Sequence, residues 1–302
     1  MISHDFPPHV IGGIGPFCYD LANALAKNGI RVTVVAGSPK CCKMDWMKPA
    51  VENDVRVIRV PRIDFPPSHF WYQVINLNTI RDLTSNYDVV HGQDSAAFPL
   101  ISFCKKRHPK VPWVVTVHTD PISQLRYAVK SVFSLEASFR DLLTYAVGFP
   151  LWDQTLKGHA KLADRLVTVS QSLSEELAKR HKVHPTKLFT INTGVNIAHL
   201  ESIARRKSEH GHDARKVKLL YAGRLYWSKG ILHLLKSIAY LTRRIGFKDF
   251  ELQILGRGPL ENRARALILS LGLDQNVEIG GFVEHEELIA SMATSDIVCI
   301  PS

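Results

Sequence analysis

Lys218-Leu219-Leu220-Tyr221-Ala222-Gly223-Arg224-Leu225-Tyr226-Trp227-Ser228-Lys229-Gly230 reads as a short strand, a glycine turn and the approach to a helix. Leu219 to Ala222 is an apolar run of a length that suits a buried strand. It stops at Gly223, and two cations follow, Arg224 and Lys229. From there Ile231, Leu234, Leu235, Ile238 and Leu241 fall on one helical face at three- and four-residue spacing. A glycine that lets backbone come close, fixed cations and a helix N-terminus together suit an anionic ligand such as a diphosphate. The same residues also fit an ordinary strand-to-helix loop that carries a surface Arg and Lys.

The pattern repeats in both directions. Apolar runs at 32–36, 55–60, 89–91, 113–118, 165–169 and 188–191 precede it, and runs at 251–255, 277–279 and 297–300 follow. Helical patterns lie between most of them. This alternation predicts an α/β protein with doubly wound parallel sheets. The clearest helix spans residues 16–28, with proline in its first turn, Phe17, Leu21 and Leu25 on one face, and Gly29 to stop it. The charged stretch 201–216 breaks the apolar rhythm and predicts the connection between two Rossmann-like domains, expected at 1–205 and 206–302. Only Met1 and Ile2 precede Ser3 and the glycine turn at 12–15, and the run at 297–300 stops at Pro301-Ser302. The expectation is therefore a fragment of a longer protein with an incomplete second domain.

The 302 residues are 45% hydrophobic, which permits large cores and argues against wholesale disorder. No apolar run reaches the roughly 18–20 residues that a membrane span needs, and the first residues lack the basic start and apolar stretch of a signal peptide. The expected location is the cytoplasm. Cys18, Cys41, Cys42, Cys104 and Cys299 form no C-x-x-C pair, so neither a disulfide framework nor a zinc site is expected. The net charge of +10 favours an anionic partner: a nucleotide, an acidic membrane surface or nucleic acid.

Five further constellations stand out, four of them after predicted strands. Pro7-Pro8-His9-Val10-Ile11-Gly12-Gly13-Ile14-Gly15-Pro16 offers three glycines, read as allowing unusual dihedrals and close backbone approach, at the start of a helix whose N–H groups can meet an anion. Its G-G-x-G spacing departs from the dinucleotide fingerprint G-x-G-x-x-G, and no acid follows the second strand, which counts against NAD. His118 ends the run Val115-Thr116-Val117, at the sheet edge that faces the ligand crevice of an open parallel sheet. Asp94 lies at another strand end. A lone residue of either kind also fits a simple strand cap. Ser170 and Asn192-Thr193-Gly194-Val195-Asn196 follow two more strands, Ser170 being a fair helix N-cap. Gly256-Arg257-Gly258-Pro259 and Gly280-Gly281-Phe282-Val283-Glu284 complete the set, as turns able to approach a base or ribose.

In order and spacing these motifs resemble the retaining glycosyltransferases of family 4, a group with the two-domain GT-B architecture that includes glycogen synthase-like and mannosyltransferase-like enzymes. The resemblance spans nearly the whole chain. It rests on Pro7-Pro8 with Gly12-Gly13-Ile14-Gly15, residues 163–170 and 192–196, Ala222-Gly223-Arg224-Leu225 with Lys229-Gly230, residues 256–259, and the closing stretch 293–302. It implies two Rossmann-like domains facing across a cleft. It also implies transfer of a sugar from a nucleotide diphosphate sugar to a sugar or lipid-linked acceptor, with retention at the anomeric carbon.

By that resemblance Arg224 and Lys229 hold the donor diphosphate and stabilise the departing charge. Gly12, Gly13 and Gly15 lie on the sugar-phosphate and acceptor side, with Gly223 at the diphosphate turn. His118 touches the transferred sugar. Gly256 and Gly258, with Phe282, Val283 and Glu284, border the nucleoside. No bound metal or resident cofactor is implied, the donor being a co-substrate, and no nucleic acid is expected. The sequence departs from the family at Asn196, where an aspartate is usual, and it stops before the family's E-x7-E segment.

The alternative on the same fold is a non-catalytic nucleotide-sugar-binding or scaffold protein. An NAD-dependent oxidoreductase is disfavoured by the missing fingerprint and ribose acid. Arg59, Arg62, Phe65, Phe70, Trp71 and Tyr72 mix cations with aromatics and offer peripheral contact with an anionic membrane, or a loop packed on its own domain.

Overall fold

The structure, a computed structural model, describes residues 1–10, 12–39, 50–52, 54–63, 68–94, 100–120, 125–126, 129, 139–207 and 216–302. Contacts divide the chain into two units, one of residues 1–126 and 143–195, the other of 127–142 and 196–302. Ile11, Lys40 to Trp46, Phe65 and residues 208–213, which the sequence reading used in part, lie outside the described residues.

In the first unit eight strands form one sheet: β1 (Ile2–Ser3), β2 (Thr33–Ser38), β3 (Ala50–Glu52), β4 (Val55–Pro61), β5 (Val90–Gln93), β6 (Trp113–Val117), β7 (Arg165–Thr168) and β8 (Leu188–Thr190). Their order is β3-β4-β2-β1-β5-β6-β7-β8. Only β3 runs antiparallel to its neighbour. Helices α1 (Ile14–Lys27), α2 (Ser68–Thr84), α3 (Leu100–Arg107), α4 (Phe139–Leu162, of which residues 143–162 belong to this unit) and α5 (Gln171–His181) alternate with the strands. Hydrophobic clusters pack around the strands: Tyr72, Ile80, Leu100, Trp113, Val115 and Leu166 in one, Phe6, Cys18, Ala22, Val34 and Val57 in another. That double burial is why the strands read as unbroken apolar runs. The chain winds outward from β1 through β2 and β4, then returns to β5 on the other side of β1. The β1/β5 border is thus a switch point, and loops leaving the carboxyl ends of β1, β5 and β6 flank it.

In the second unit β9 (Val217–Ala222), β10 (Phe250–Leu255), β11 (Val277–Gly281) and β12 (Ile297–Cys299) form a parallel sheet ordered β11-β10-β9-β12. α6 (Ile197–Lys207), α7 (Ile231–Tyr240), α8 (Glu261–Ser270) and α9 (His285–Ala293) accompany it. The switch point here lies between β9 and β12. Leu220, Leu225, Ile231, Leu235, Phe250 and Ile254 are buried.

Two short elements were not expected from the sequence. Ile2–Ser3 pairs with both β2 and β5, and Ala50–Glu52 adds an edge to β4. The reading of residues 201–216 as a polar connection is corrected over 201–207. That segment is helical and α6 packs against α9, with Ile203 only 2% exposed.

Candidate functional site

In the second unit the carboxyl ends of β9, β10 and β11 are laced together by backbone. Gly223 N–H donates to Leu255 O at 3.0 Å, Leu225 N–H to Arg257 O at 3.0 Å, Leu260 N–H to Leu225 O at 3.0 Å and Gly256 N–H to Gly281 O at 2.6 Å. Gly256 has φ +141°, and a Cβ there would lie 1.9 Å from Gly223 O. Glycine is required because two turns touch. The result is an open recess of about 260 Å³ lined by Arg224, Tyr226, Arg257, Gly258 and Pro259.

The guanidinium of Arg224 lies 5.2 Å from the centre of the Tyr226 ring, a cation–π contact that orients it. Lys229 ends a 3-10 turn over Trp227–Lys229, just before α7. The buried Tyr221 hydroxyl donates to Arg224 O at 3.1 Å and also faces Lys229 O at 3.4 Å, so one side chain sets the backbone of both cations. Gly230, at φ +65°, turns the chain into α7 close against Pro301 O, on the other side of the switch point. Ion pairs of this unit such as Lys216–Glu251 and Arg265–Glu261 lie elsewhere. Among the described residues no carboxylate pairs with Arg224, Lys229 or Arg257. Phe282 is 64% exposed just past β11; Glu284 N-caps α9 without a side-chain bond.

In the first unit the loop after β1 is built on Asp5. Its carboxylate accepts from Gly12 N–H at 3.2 Å and pairs with Arg62 at 3.2 Å. Arg62 also donates to His4 O and His9 O, and Arg59 donates to Phe6 O and Pro7 O. Gly13 precedes α1 at φ −70°, with no side-chain cap. The expectation of unusual dihedrals at Gly12, Gly13 and Gly15 is not met, since none has a positive φ. Only Gly15 is tightly packed, a Cβ there meeting Val10 at 3.1 Å; at Gly12 and Gly13 nothing lies within 4 Å. Their small size leaves open space at a helix N-terminus rather than relieving strain.

His118 stands one residue past β6. Its ring meets Phe17, in the first turn of α1, at 4.8 Å. Structure thus joins it to the glycine loop, 100 residues earlier in the chain. Its Nε2 lies 3.0 Å from Gln93 Oε1, and the Gln93 amide nitrogen lies 3.2 Å from His91 Nε2. Burial lowers the pKa of both His118 and His91 to about 4. With His118 neutral and Nε2–H donating to Gln93, its Nδ1 is an acceptor. Beside it the carboxyl of Asp94 is pushed up to about 7 by burial, against the opposing hydrogen bonds of the Thr119 hydroxyl and the His118 backbone. Arg180 ties down Asp120, the next residue along.

Ser170 is the N-cap of α5, its hydroxyl accepting from Leu173 N–H at 3.3 Å. Asn196 Oδ1 likewise accepts from His199 N–H at 3.2 Å, a cap that an aspartate would also make. The surface reading of Arg59, Arg62 and Tyr72 is corrected: both arginines hold the 4–9 loop, and Tyr72 is buried with its hydroxyl on Val35 O. Sequence reasoning gave no part to Asp5, Gln93 and Tyr226, which contact Gly12, His118 and Arg224, or to Arg257, which lines the recess. Of these only Arg257, a cation between two assigned glycines, left a signal.

Among the described residues no helix is long and apolar enough to cross a membrane. The model of Glycosyltransferase Family 4 matches residues 11–199, and that of glycosyl transferases group 1 matches residues 202–302. An uncharacterised glycosyltransferase of Methanocaldococcus jannaschii is 26% identical over 100% of this chain and 74% of its own length. Glycogen synthase of Mycobacterium tuberculosis is 24% identical over 100% of this chain and 72% of its own. The structure of HepE from Anabaena in complex with UDP and glucose has a TM-score of 0.67 at 15% identity, over 99% of this chain and 72% of that one, and shows a shared fold. Two α/β units with the family's motifs at their strand ends, matched by family models along almost the whole chain, make this an enzyme of sugar transfer with the GT-B fold: the chain belongs to glycosyltransferase family 4.

Proposed function

We propose that the chain moves a sugar from a nucleotide diphosphate sugar to an acceptor hydroxyl with retention at the anomeric carbon. The observation that carries this reading is the open recess at the ends of β9 and β10, where cations stand without a carboxylate among the described residues. Arg224 and Lys229 hold the diphosphate and stabilise the charge that develops as the glycosidic bond breaks, a term that grows towards the transition state. Gly223, Gly256 and Gly258 let backbone approach the ligand, and Phe282, Val283 and Glu284 border the nucleoside. In the first unit the open backbone at Gly12 and Gly13, with Gly15 packed against Val10 beside it, receives the sugar-phosphate side. His118, neutral at ordinary pH, accepts a sugar hydroxyl at Nδ1.

In this reading the donor is a co-substrate, and side-chain cations take the part a metal would play. The acceptor is a sugar or a lipid-linked sugar. Peripheral membrane contact rests on what remains exposed near the corrected segment, Ile63, Val74 and Ile75. Flotation with anionic vesicles tests it, and recovery that is indifferent to lipid ends it. UDP, GDP and ADP and their sugars, screened by calorimetry, are expected to give one selective binder. NMR of the product then reads the anomeric configuration. Failure of all three nucleoside diphosphates to bind would refute the donor site, and binding without transfer to any acceptor would support the non-catalytic reading instead.

A further inference from the structure

We infer that Arg257 is a phosphate-binding residue, lining the same recess as Arg224 and gripping the donor diphosphate together with it. The inference rests on the donor reading above. The turn that carries Arg224 and the turn that carries Arg257 are bonded directly, Leu225 N–H to Arg257 O at 3.0 Å, with Gly223 N–H on Leu255 O just before. Both glycines flanking Arg257 are sites where any Cβ would strike the other turn: 1.9 Å from Gly223 O at Gly256 and 2.3 Å from Leu225 O at Gly258. The two arginines are therefore held side by side by main chain and line the same recess. Lys229 is not among the residues lining it.

Both arginines line this one recess, and among the described residues neither has a carboxylate partner. An anion there is met by two positive charges and two planar donor forks, the geometry that suits phosphate oxygens. A Cβ at Gly281 would lie 3.8 Å from Arg257 Nε, so the side chain runs beside the end of β11. That end leads into Phe282. Arg257 thus stands between the Arg224 recess and the segment assigned to the nucleoside, where the phosphate nearer the ribose would lie.

Calorimetry tests this on the full chain with UDP, GDP and ADP, the parent nucleosides and inorganic pyrophosphate as probes, at two salt concentrations. Arg257→Ala is expected to weaken the selected nucleoside diphosphate and pyrophosphate about tenfold and to flatten the salt dependence. It should leave nucleoside affinity and ligand-free thermal stability unchanged, because the side chain is exposed. Arg257→Lys, which keeps charge but loses the fork, is expected to recover part of the loss. Wild-type affinity and salt dependence in Arg257→Ala would overturn the inference while leaving the donor site standing. Equal weakening of the nucleoside would also overturn it, by making Arg257 a base or ribose contact. Absence of binding by the wild type to every probe would overturn the donor reading itself.

Discussion

The Tyr221 side chain has one hydroxyl and two residues to position, Arg224 and Lys229. Removing it in Tyr221→Phe deletes a net hydrogen bond worth about 1 kcal/mol and leaves the ring packed. The expected outcome is a folded protein whose transfer rate falls several-fold. Arg224→Ala or Lys229→Ala should cost more, about 2–4 kcal/mol of transition-state stabilisation, or roughly 30- to 1000-fold in kcat/KM. Steady-state kinetics of the three variants give the comparison, and near-normal turnover in both cation variants contradicts their assignment. Buried titratable groups supply a second residue-scale prediction. Burial lowers His91 and His118 to about 4 and His159 to about 3, whereas an unfolded chain titrates them near 6.5. Between those values the unfolded state binds more protons, so the stability they support is complete above 6.5 and is lost as pH falls towards 4. Asp94, raised to about 7, works the other way, its contribution being full below its unfolded value and lost as pH rises through 7. Three groups oppose one, so urea midpoints should drop from pH 6.5 to 4.5. Asp94→Asn should raise the midpoint at pH 8 and steepen the acid loss. Arg224 and Lys229 were legible as residues because charge after a strand-ending glycine is a local signal. Gln93 was not, since its part as a bridge between His91 and His118 exists only once β5 and β6 pair.

At the scale of elements, the two glycine turns contrast. The Gly256 turn is glycine-rich because another turn fills the space, whereas Gly12 and Gly13 face nothing within 4 Å. Gly256→Ala should therefore destabilise the second unit by more than the roughly 1 kcal/mol of an ordinary backbone penalty, because a Cβ 1.9 Å from Gly223 O forces the turns apart. Gly13→Ala should change stability by less than about 0.5 kcal/mol yet weaken donor or acceptor binding, since its methyl occupies space that the fold itself leaves empty. Denaturation and binding measured on the same two variants separate these effects. A Gly13→Ala protein that binds normally removes the loop from the site. Most strands were legible to within two residues, because burial on both faces turns each into an apolar run. β1 escaped because two residues carry no period. α6 escaped because Ile203 is the one residue it buries among those described, and the charged run Arg205-Arg206-Lys207 reads as a connection.

Across the molecule, each unit has its own sheet and its own buried residues, and the cations assigned to the donor all stand at one edge of the second sheet. A nucleoside diphosphate held there stabilises that unit by RT ln(1 + [L]/Kd), about 2.7 kcal/mol at a hundredfold excess of ligand over Kd. Backbone amides that exchange only when the whole unit opens should then slow by up to about 100-fold. Segment-resolved hydrogen exchange is expected to show this in β9, β10 and α7, with the largest local effect over residues 223–231 and 256–260. Protection of β2 and β4, in the other sheet, should be smaller. The double variant Arg224→Ala, Lys229→Ala should abolish the difference without altering exchange in the absence of ligand, because both side chains are exposed. The overall architecture was readable from the alternation of runs and helices, but the convergence of β9 and β10 on one recess was not. It depends on which strands become neighbours, and the order β11-β10-β9-β12 is a property of the closed sheet rather than of any segment. Protection that appeared in β2 and β4 and spared β9 and β10 would show the diphosphate to be held by the first unit, and the cations after β9 would then need another ligand.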